Sequence, residues 1–170
     1  MVSFPPEYRG QVVDAWQTYA PALNDRTMRV VGSLKSIHEA LARSSEKACQ
    51  HHPVSPAELE VLVPLHRSSI AMTGAMLAYR LGMTRAGVAK HLKRLEARGL
   101  LSRDQMPGDK RSSAITLTEQ GARVTESAFA EELSEHARLL REVIDDKKLY
   151  EALAEAARKV AESAATAGGD

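Results

Sequence analysis

Residues 72–118, MTGAMLAYRLGMTRAGVAKHLKRLEARGLLSRDQMPGDKRSSAITLT, restrict the fold more than any other stretch of the chain. Thr73 is placed to cap a short helix, TGAMLAYRL, with Met76, Leu77 and Leu81 on its inward side. Gly82 can take the positive backbone angle that ends this helix, and Thr84 can cap the next. In that second helix, 84–98, Val88, Leu92 and Leu95 fall on one face, with Ala86, Lys90, Lys93 and Ala97 nearly opposite. Gly99 closes it. The runs LLSRDQ and SSAITLT then read as two strands around MPGDKR, where Pro107 and Gly108 suit a type II turn.

A helix, a tight glycine turn, a basic helix and a hairpin with a basic tip make the pattern of a winged helix-turn-helix, a module that docks on nucleic acid. Small residues on the outer face let the backbone approach a groove, and the lysines reach phosphate or base edges. The charge distribution points the same way. Between Arg80 and Arg111 stand nine Lys/Arg and three acids, about +6 in a chain whose formal net charge is +1, so the remainder sums to about −5. One basic patch on an acidic body suits a polyanionic partner.

The flanks read as helices. Val12, Val13, Trp16 and Tyr19 recur at helical spacing before Pro21. From 22 to 48, Leu23, Val30, Leu34, Ile37 and Leu41 keep a nearly 3.5-residue rhythm, which describes a seam. Ser55, Pro56 and Glu58 spell the start of a helix from Pro56 to about Arg67, with Leu59, Leu62, Val63 and His66 or a subset of them inward; Pro64 is expected to bend this helix or shorten it to two turns. Thr118 starts a long helix with Val124, Ala128 and Leu133 buried, the chain turns near Asp145 and Asp146, and a last helix carries Leu149, Leu153, Ala156, Ala157 and Val160. The expected fold is therefore mainly α with a small β wing. Residues 1–48 supply N-terminal helices, 55–118 the winged helix-turn-helix domain, and 119–166 C-terminal helices. With no run near the about 18 apolar residues of a membrane span, and no signal-like apolar stretch in MVSFPPEYRG, the expected location is cytoplasmic.

The pieces SPAELEVL, LAYRLGMTRAGVAKHLKRLEARGLLSR and PGDKRSSAITLTEQG, spanning about 55 to 123 in consistent order, resemble the MarR family of bacterial transcription regulators. The resemblance implies a homodimer built from the N- and C-terminal helices that reads a palindromic operator in double-stranded DNA, typically as a repressor released by a small ligand. It implies a recognition helix at 84–98, with Thr84, Arg85, Ala86, Lys90, Lys93 and Arg94 toward DNA. The family's Asp-x-Arg wing motif stands as Asp109-Lys110-Arg111, the aspartate steadying the wing and the arginine entering the minor groove. Ala86 and Gly87 replace the Ser or Thr frequent in the family, which leaves thymine methyls or indirect readout as means of recognition. Within the family, the urate-responsive subgroup has a Trp, an Asp and two Arg at its ligand site. Trp16 and Arg103 match, whereas Glu60 replaces the Asp and His91 the first Arg, so these four positions imply an aromatic or anionic ligand and speak against urate itself.

Other readings compete. The basic face could serve a winged-helix module that binds protein partners or nucleic acid nonspecifically. Cys49, His51 and His52 carry good zinc donors, with His38 or His66 to complete a set, and would make a zinc-responsive regulator; adjacent donors in one loop fall short of a four-ligand site. Asp145 and Asp146 beside Lys147 read as a capped turn rather than a catalytic pair. With no Ser-His-Asp arrangement, phosphate loop or HExxH helix, no enzyme and no cofactor are expected.

Overall fold

The structure, a computed structural model, describes the backbone of residues 25–106 and 109–167 and the side chains of 26–104 and 113–166. The expected helix around Trp16, the Pro107-Gly108 turn and the side chains of Asp109, Lys110 and Arg111 lie outside that description. Among the described residues seven helices and one hairpin follow in order: α1 (Asp25–Cys49), α2 (Pro56–His66), α3 (Gly74–Leu81), α4 (Arg85–Ala97), β1 (Leu101–Met106), β2 (Asp109–Leu117), α5 (Glu119–Leu139), α6 (Arg141–Asp145) and α7 (Lys147–Ala167). The mainly helical class with a small wing is as the sequence implies.

Local chemistry sets most helix starts. Ser55 accepts from the Glu58 amide while the Glu58 carboxylate accepts from the Ser55 amide at 3.0 Å, a reciprocal capping box ahead of Pro56. Thr73, Thr84 and Thr118 cap α3, α4 and α5 by accepting from the amides of Met76, Gly87 and Gly121. Gly82 (φ 61°) ends α3 in the left-handed region, so the turn between α3 and α4 needs a residue without Cβ strain.

Packing then assembles these pieces around one core. Leu59, Val61 and Leu62 from α2, Leu77 from α3, Val88, Leu92 and Leu95 from α4, and Leu100, Leu101 and Ile115 from the wing root are buried together. Full burial of such a side chain contributes about 1.5–3 kcal/mol, so α4 is fixed chiefly by its three apolar positions. β1 and β2 pair antiparallel with Leu101 opposite Leu117 and Arg103 opposite Ile115. The wing root gains a third segment where the Ile115 amide donates to the Met72 carbonyl at 2.8 Å.

Two expectations need correction, the shortening of α2 at Pro64 and the burial of Leu133. α2 keeps its third turn through Pro64 and ends at His66, because a proline near the C-terminal end disturbs only the last ladder bonds. Of its expected inward positions Leu59 and Leu62 are buried and Val63 and His66 are partly buried, and Val61 and Leu65 join the buried set. Leu133 of α5 is half-exposed instead of buried, since the helix has outrun the core of this single chain. The chain turns at Asp146 as expected and Asp146 caps α7, its Oδ1 accepting from Lys148 N at 2.8 Å and Leu149 N at 3.2 Å; a further break at Leu140 sets off the short α6.

α5 packs along α1 and α2. Lys47 pairs with Glu135 at 3.2 Å, His52 with Glu131 at 2.8 Å and His66 with Glu126 at 3.1 Å, while Ser45 lies 3.2 Å from His136. Val30, Leu34 and Ile37 on α1, and Leu149, Leu153 and Val160 on α7, are left exposed. No helix among the described residues is long and apolar enough to cross a membrane.

Candidate nucleic-acid interface

α4 presents two chemically opposite faces. Val88, Leu92 and Leu95 are at most 2% exposed, whereas Arg85, Ala86, Ala89, Lys90, Lys93, Arg94 and Ala97 lie exposed along the other side. The structure thus gathers Thr84, Arg85, Ala86, Lys90, Lys93 and Arg94 on one outward strip. Among the described residues no carboxylate pairs with Arg85, Lys90, Lys93 or Arg94. Gly87 fits close to the cap: a Cβ there would stand 3.1 Å from Thr84 Oγ1, crowding the hydroxyl that receives the Gly87 amide at 3.0 Å. Asp109, Lys110 and Arg111 fall on β2, whose backbone continues from the same wing.

Two cations of the basic stretch have internal duties. Arg98 donates from Nε to the Arg94 carbonyl at 3.1 Å, from Nη1 to the Pro53 carbonyl, and from Nη2 to Glu58 Oε1 at 2.7 Å. Burial by itself would raise the Glu58 pKa; the Ser55 amide and the Arg98 guanidinium outweigh it and hold the carboxyl below its ordinary value. Arg103 donates from Nε to Glu96 Oε2 at 3.0 Å. Both count as patch charge in the sequence, because Glu58 stands 40 residues before Arg98 and because Glu96, seven residues before Arg103, meets it only once β1 folds back beside α4.

Of the residues proposed for a ligand, Arg103 lines a cleft of about 250 Å³ with Arg85, Thr73, Ala89 and Ser113, between α3, α4 and the wing. Glu60 and His91 are not among its described lining. Glu60 is exposed on α2, and His91 is half-buried on α4 with Nδ1 shielded and without a hydrogen-bond partner. Trp16 lies outside the described residues. The four are therefore not seen as one site. A second cleft, of about 310 Å³, opens between α2 and α5 and is lined by Val63, His66, Arg67, Glu126, Phe129 and Leu133. No sequence signal marks it, since it needs two helices whose facing residues, such as His66 and Glu126, stand 60 positions apart.

The zinc candidates separate. Cys49 is buried, and desolvation, with Glu132 and Glu131 adding to it, pushes its thiol up to about 11. His51 is exposed and His52 is engaged by Glu131. Among the described residues no three of His, Cys, Asp and Glu stand close enough to share an ion.

Comparison with known proteins gives these features relatives. The model of the MarR family matches residues 54–113. An uncharacterized HTH-type transcriptional regulator of Bacillus cereus strain ATCC 10987 is 30% identical over 110 residues, covering 63% of this chain and 72% of the relative. The HTH-type transcriptional regulator PecS of Dickeya dadantii is 25% identical over 141 residues, covering 82% of this chain and 85% of PecS. Among solved structures, the transcriptional repressor CouR bound to a 23-mer DNA duplex superposes with a TM-score of 0.68 at 25% identity, over 76% of this chain and 90% of that one. CouR from Rhodococcus jostii RHA1 bound to p-coumaroyl-CoA gives 0.66 at 19% identity, over 78% and 91%.

Proposed function

This chain belongs to the MarR family of DNA-binding transcriptional regulators, and from that premise we propose that it acts as a homodimeric repressor released by a small ligand. It is a regulator and not an enzyme. The observation that carries the reading is the cationic strip Arg85, Lys90, Lys93 and Arg94, which no carboxylate among the described residues pairs and which the buried Val88, Leu92 and Leu95 hold outward. Such a strip meets phosphates and base edges when α4 lies in a major groove, with the wing at Asp109, Lys110 and Arg111 reaching the adjacent backbone.

Dimerisation is supported by the apolar seam of α1 and by Leu149, Leu153 and Val160 of α7, which the described residues leave uncovered. Two copies reading a palindrome place their recognition helices about 34 Å apart, one duplex turn. A ligand that favours another separation weakens DNA binding in proportion to its preference for that state. The α2–α5 cleft suits this role because α2 belongs to the DNA-binding lobe and α5 leads away from it. With His66 already paired to Glu126, Arg67 beside apolar Val63, Phe129 and Leu133 favours an aromatic or otherwise apolar anion. CouR, solved with DNA and with an aromatic acyl-CoA, shows both partners on one related fold.

The test is discrimination. The protein is titrated against duplex DNA from upstream of its own gene and against random duplex at one salt concentration. At least about 10³-fold preference is expected. A preference below about 10-fold favours the nonspecific or protein-binding module instead.

A further inference from the structure

The C-terminal end of α4 is held from two sides by groups that do not belong to the outward strip. On the α2 side stands Arg98, whose guanidinium bonds its own helix at the Arg94 carbonyl, the loop at the Pro53 carbonyl and the buried Glu58 carboxylate. On the α5 side stands the first turn of that helix. Thr118 Oγ1 donates to the Gly99 carbonyl at 2.7 Å and accepts from the Gly121 amide at 3.0 Å, so one hydroxyl joins the end of α4 to the start of α5. The Thr118 amide donates to the Leu100 carbonyl at 3.2 Å.

Gly121 makes this contact close. It is buried inside a helix with no positive φ, so its backbone conformation does not ask for glycine. The space does: a Cβ on Gly121 would stand 1.8 Å from the Leu100 oxygen and 2.8 Å from its carbonyl carbon. Both obstructing atoms are backbone, which cannot swing aside as a side-chain tip can. The joint therefore transmits position from α5 to α4 through main-chain contact.

We propose that Arg98 and Gly121 are positioning residues for operator recognition, fixing α4 against α2 and α5 so that half-site spacing is set by a joint that touches no DNA. The proposal rests on the reading of the chain as a dimeric operator-binding protein. It assigns to Arg98 a role distinct from its basic neighbours: its charge is spent inside the protein. It also gives the α2–α5 cleft a route to DNA, since both walls of that cleft end on the same joint.

The experiment uses the full chain and three variants, Arg98→Lys, Glu58→Gln and Gly121→Ala. The first readout is the nitroxide distance within one chain between labels at Lys93→Cys and Ser127→Cys, both exposed positions, in a Cys49→Ser background diluted with unlabelled protein. The second is affinity for a duplex selected from a random library by the wild type, for the same half-sites with one base pair added or removed, and for random duplex. Gly121→Ala is expected to move the label distance by more than an ångström, because the Leu100 carbonyl must retreat that far. Arg98→Lys keeps the charge but loses the three-way fork, and is expected to broaden the distance, as is Glu58→Gln. Each variant should lose on the order of 10-fold on the selected duplex, with less than about twofold change on random duplex and altered spacing preference.

Equal losses on both duplexes, or unchanged distance and spacing preference, would overturn the proposal and leave these residues a purely structural role. Should Gly121→Ala not fold, the two milder variants still decide the matter. A wild type that selects no sequence would remove the operator-binding reading, while the label distances would still decide whether the joint positions α4.

Discussion

Arg103 Nε on β1 lies 3.0 Å from Glu96 Oε2 in the last turn of α4, so this helix pairs a cation of its own wing with a carboxylate. The pair is partly exposed, its side chains 30% and 43% accessible, and lies at the edge of the strip that carries Lys90 and Lys93. A surface pair of this kind adds little stability, yet it removes one positive charge from the side that we propose meets DNA.

Glu96→Gln frees that charge. The variant is expected to bind duplex DNA about 3–10-fold more tightly at low salt, with the log–log salt dependence steeper by about one phosphate contact and the gain fading as salt rises. Anisotropy titrations between low and moderate salt measure both. Unchanged affinity and slope would mean that Arg103 stays clear of phosphates whether or not Glu96 holds it.

Glu58 carries a pH dependence whose sign follows from its environment. Its folded pKa lies below the unfolded value, so the stability it contributes is present at pH above the ordinary carboxylate value and is lost as pH falls through the lowered folded one. Glu58→Gln is therefore expected to cost about 1–3 kcal/mol at pH 7, where charged hydrogen bonds to Ser55 and Arg98 are removed. The difference from wild type should shrink as the medium is acidified below about pH 4. Urea unfolding across pH 3 to 7 tests this, and a difference that is constant over the range would place the variant's effect in packing rather than charge.

The features legible in the sequence are those decided within a few residues. Ser55, Thr73, Thr84 and Thr118 announce themselves as caps because the cap bond reaches only two or three residues along the chain, and Gly82 and Gly99 take positive φ where a helix must stop. The inward face of α4 follows from the helical repeat alone. What the sequence hid depends on distant partners. The Arg98 fork needs Glu58 and Pro53, the wing's third segment needs Met72 beside Ile115, and Gly121 looks like an ordinary helical glycine until Leu100 is set against it. Leu133 misleads for a related reason, since helical periodicity marks an apolar position without saying whether this chain or another covers it.

Gly82 gives a clean backbone test, because a Cβ there meets nothing within 4 Å while φ is 61°. Gly82→Ala should cost about 1–2 kcal/mol through left-handed strain alone. Thermal unfolding should register it without loss of the α3–α4 packing. A larger loss would mean that the turn between the two helices repacks.

Cys49 should be slow to react. With its thiol pushed up to about 11, the thiolate is on the order of one part in a thousand at pH 8, and burial restricts access further. Iodoacetamide is expected to modify native protein far more slowly than urea-unfolded protein, with zinc or chelator making no difference to that rate. Rapid native alkylation, or protection by zinc, would restore the thiol to the list of functional groups.

The outward strip makes the last prediction a matter of counting charges. If Lys90 and Lys93 each meet a phosphate, replacing either with Ala reduces the slope of log affinity against log salt by about 1 and weakens binding similarly on every sequence. Ala86 has no polar atom to offer beyond its backbone; Ala86→Ser would add a donor at the groove and is expected to change which duplexes are preferred, with the slope unchanged. Arg111→Ala should weaken DNA binding and leave sedimentation of the dimer as it was, since β2 stands apart from the α1 and α7 seams. These outcomes separate three contributions that a single affinity would merge. A lysine variant that keeps the wild-type slope meets solvent, and an Arg111 variant with full affinity takes the wing out of the interface.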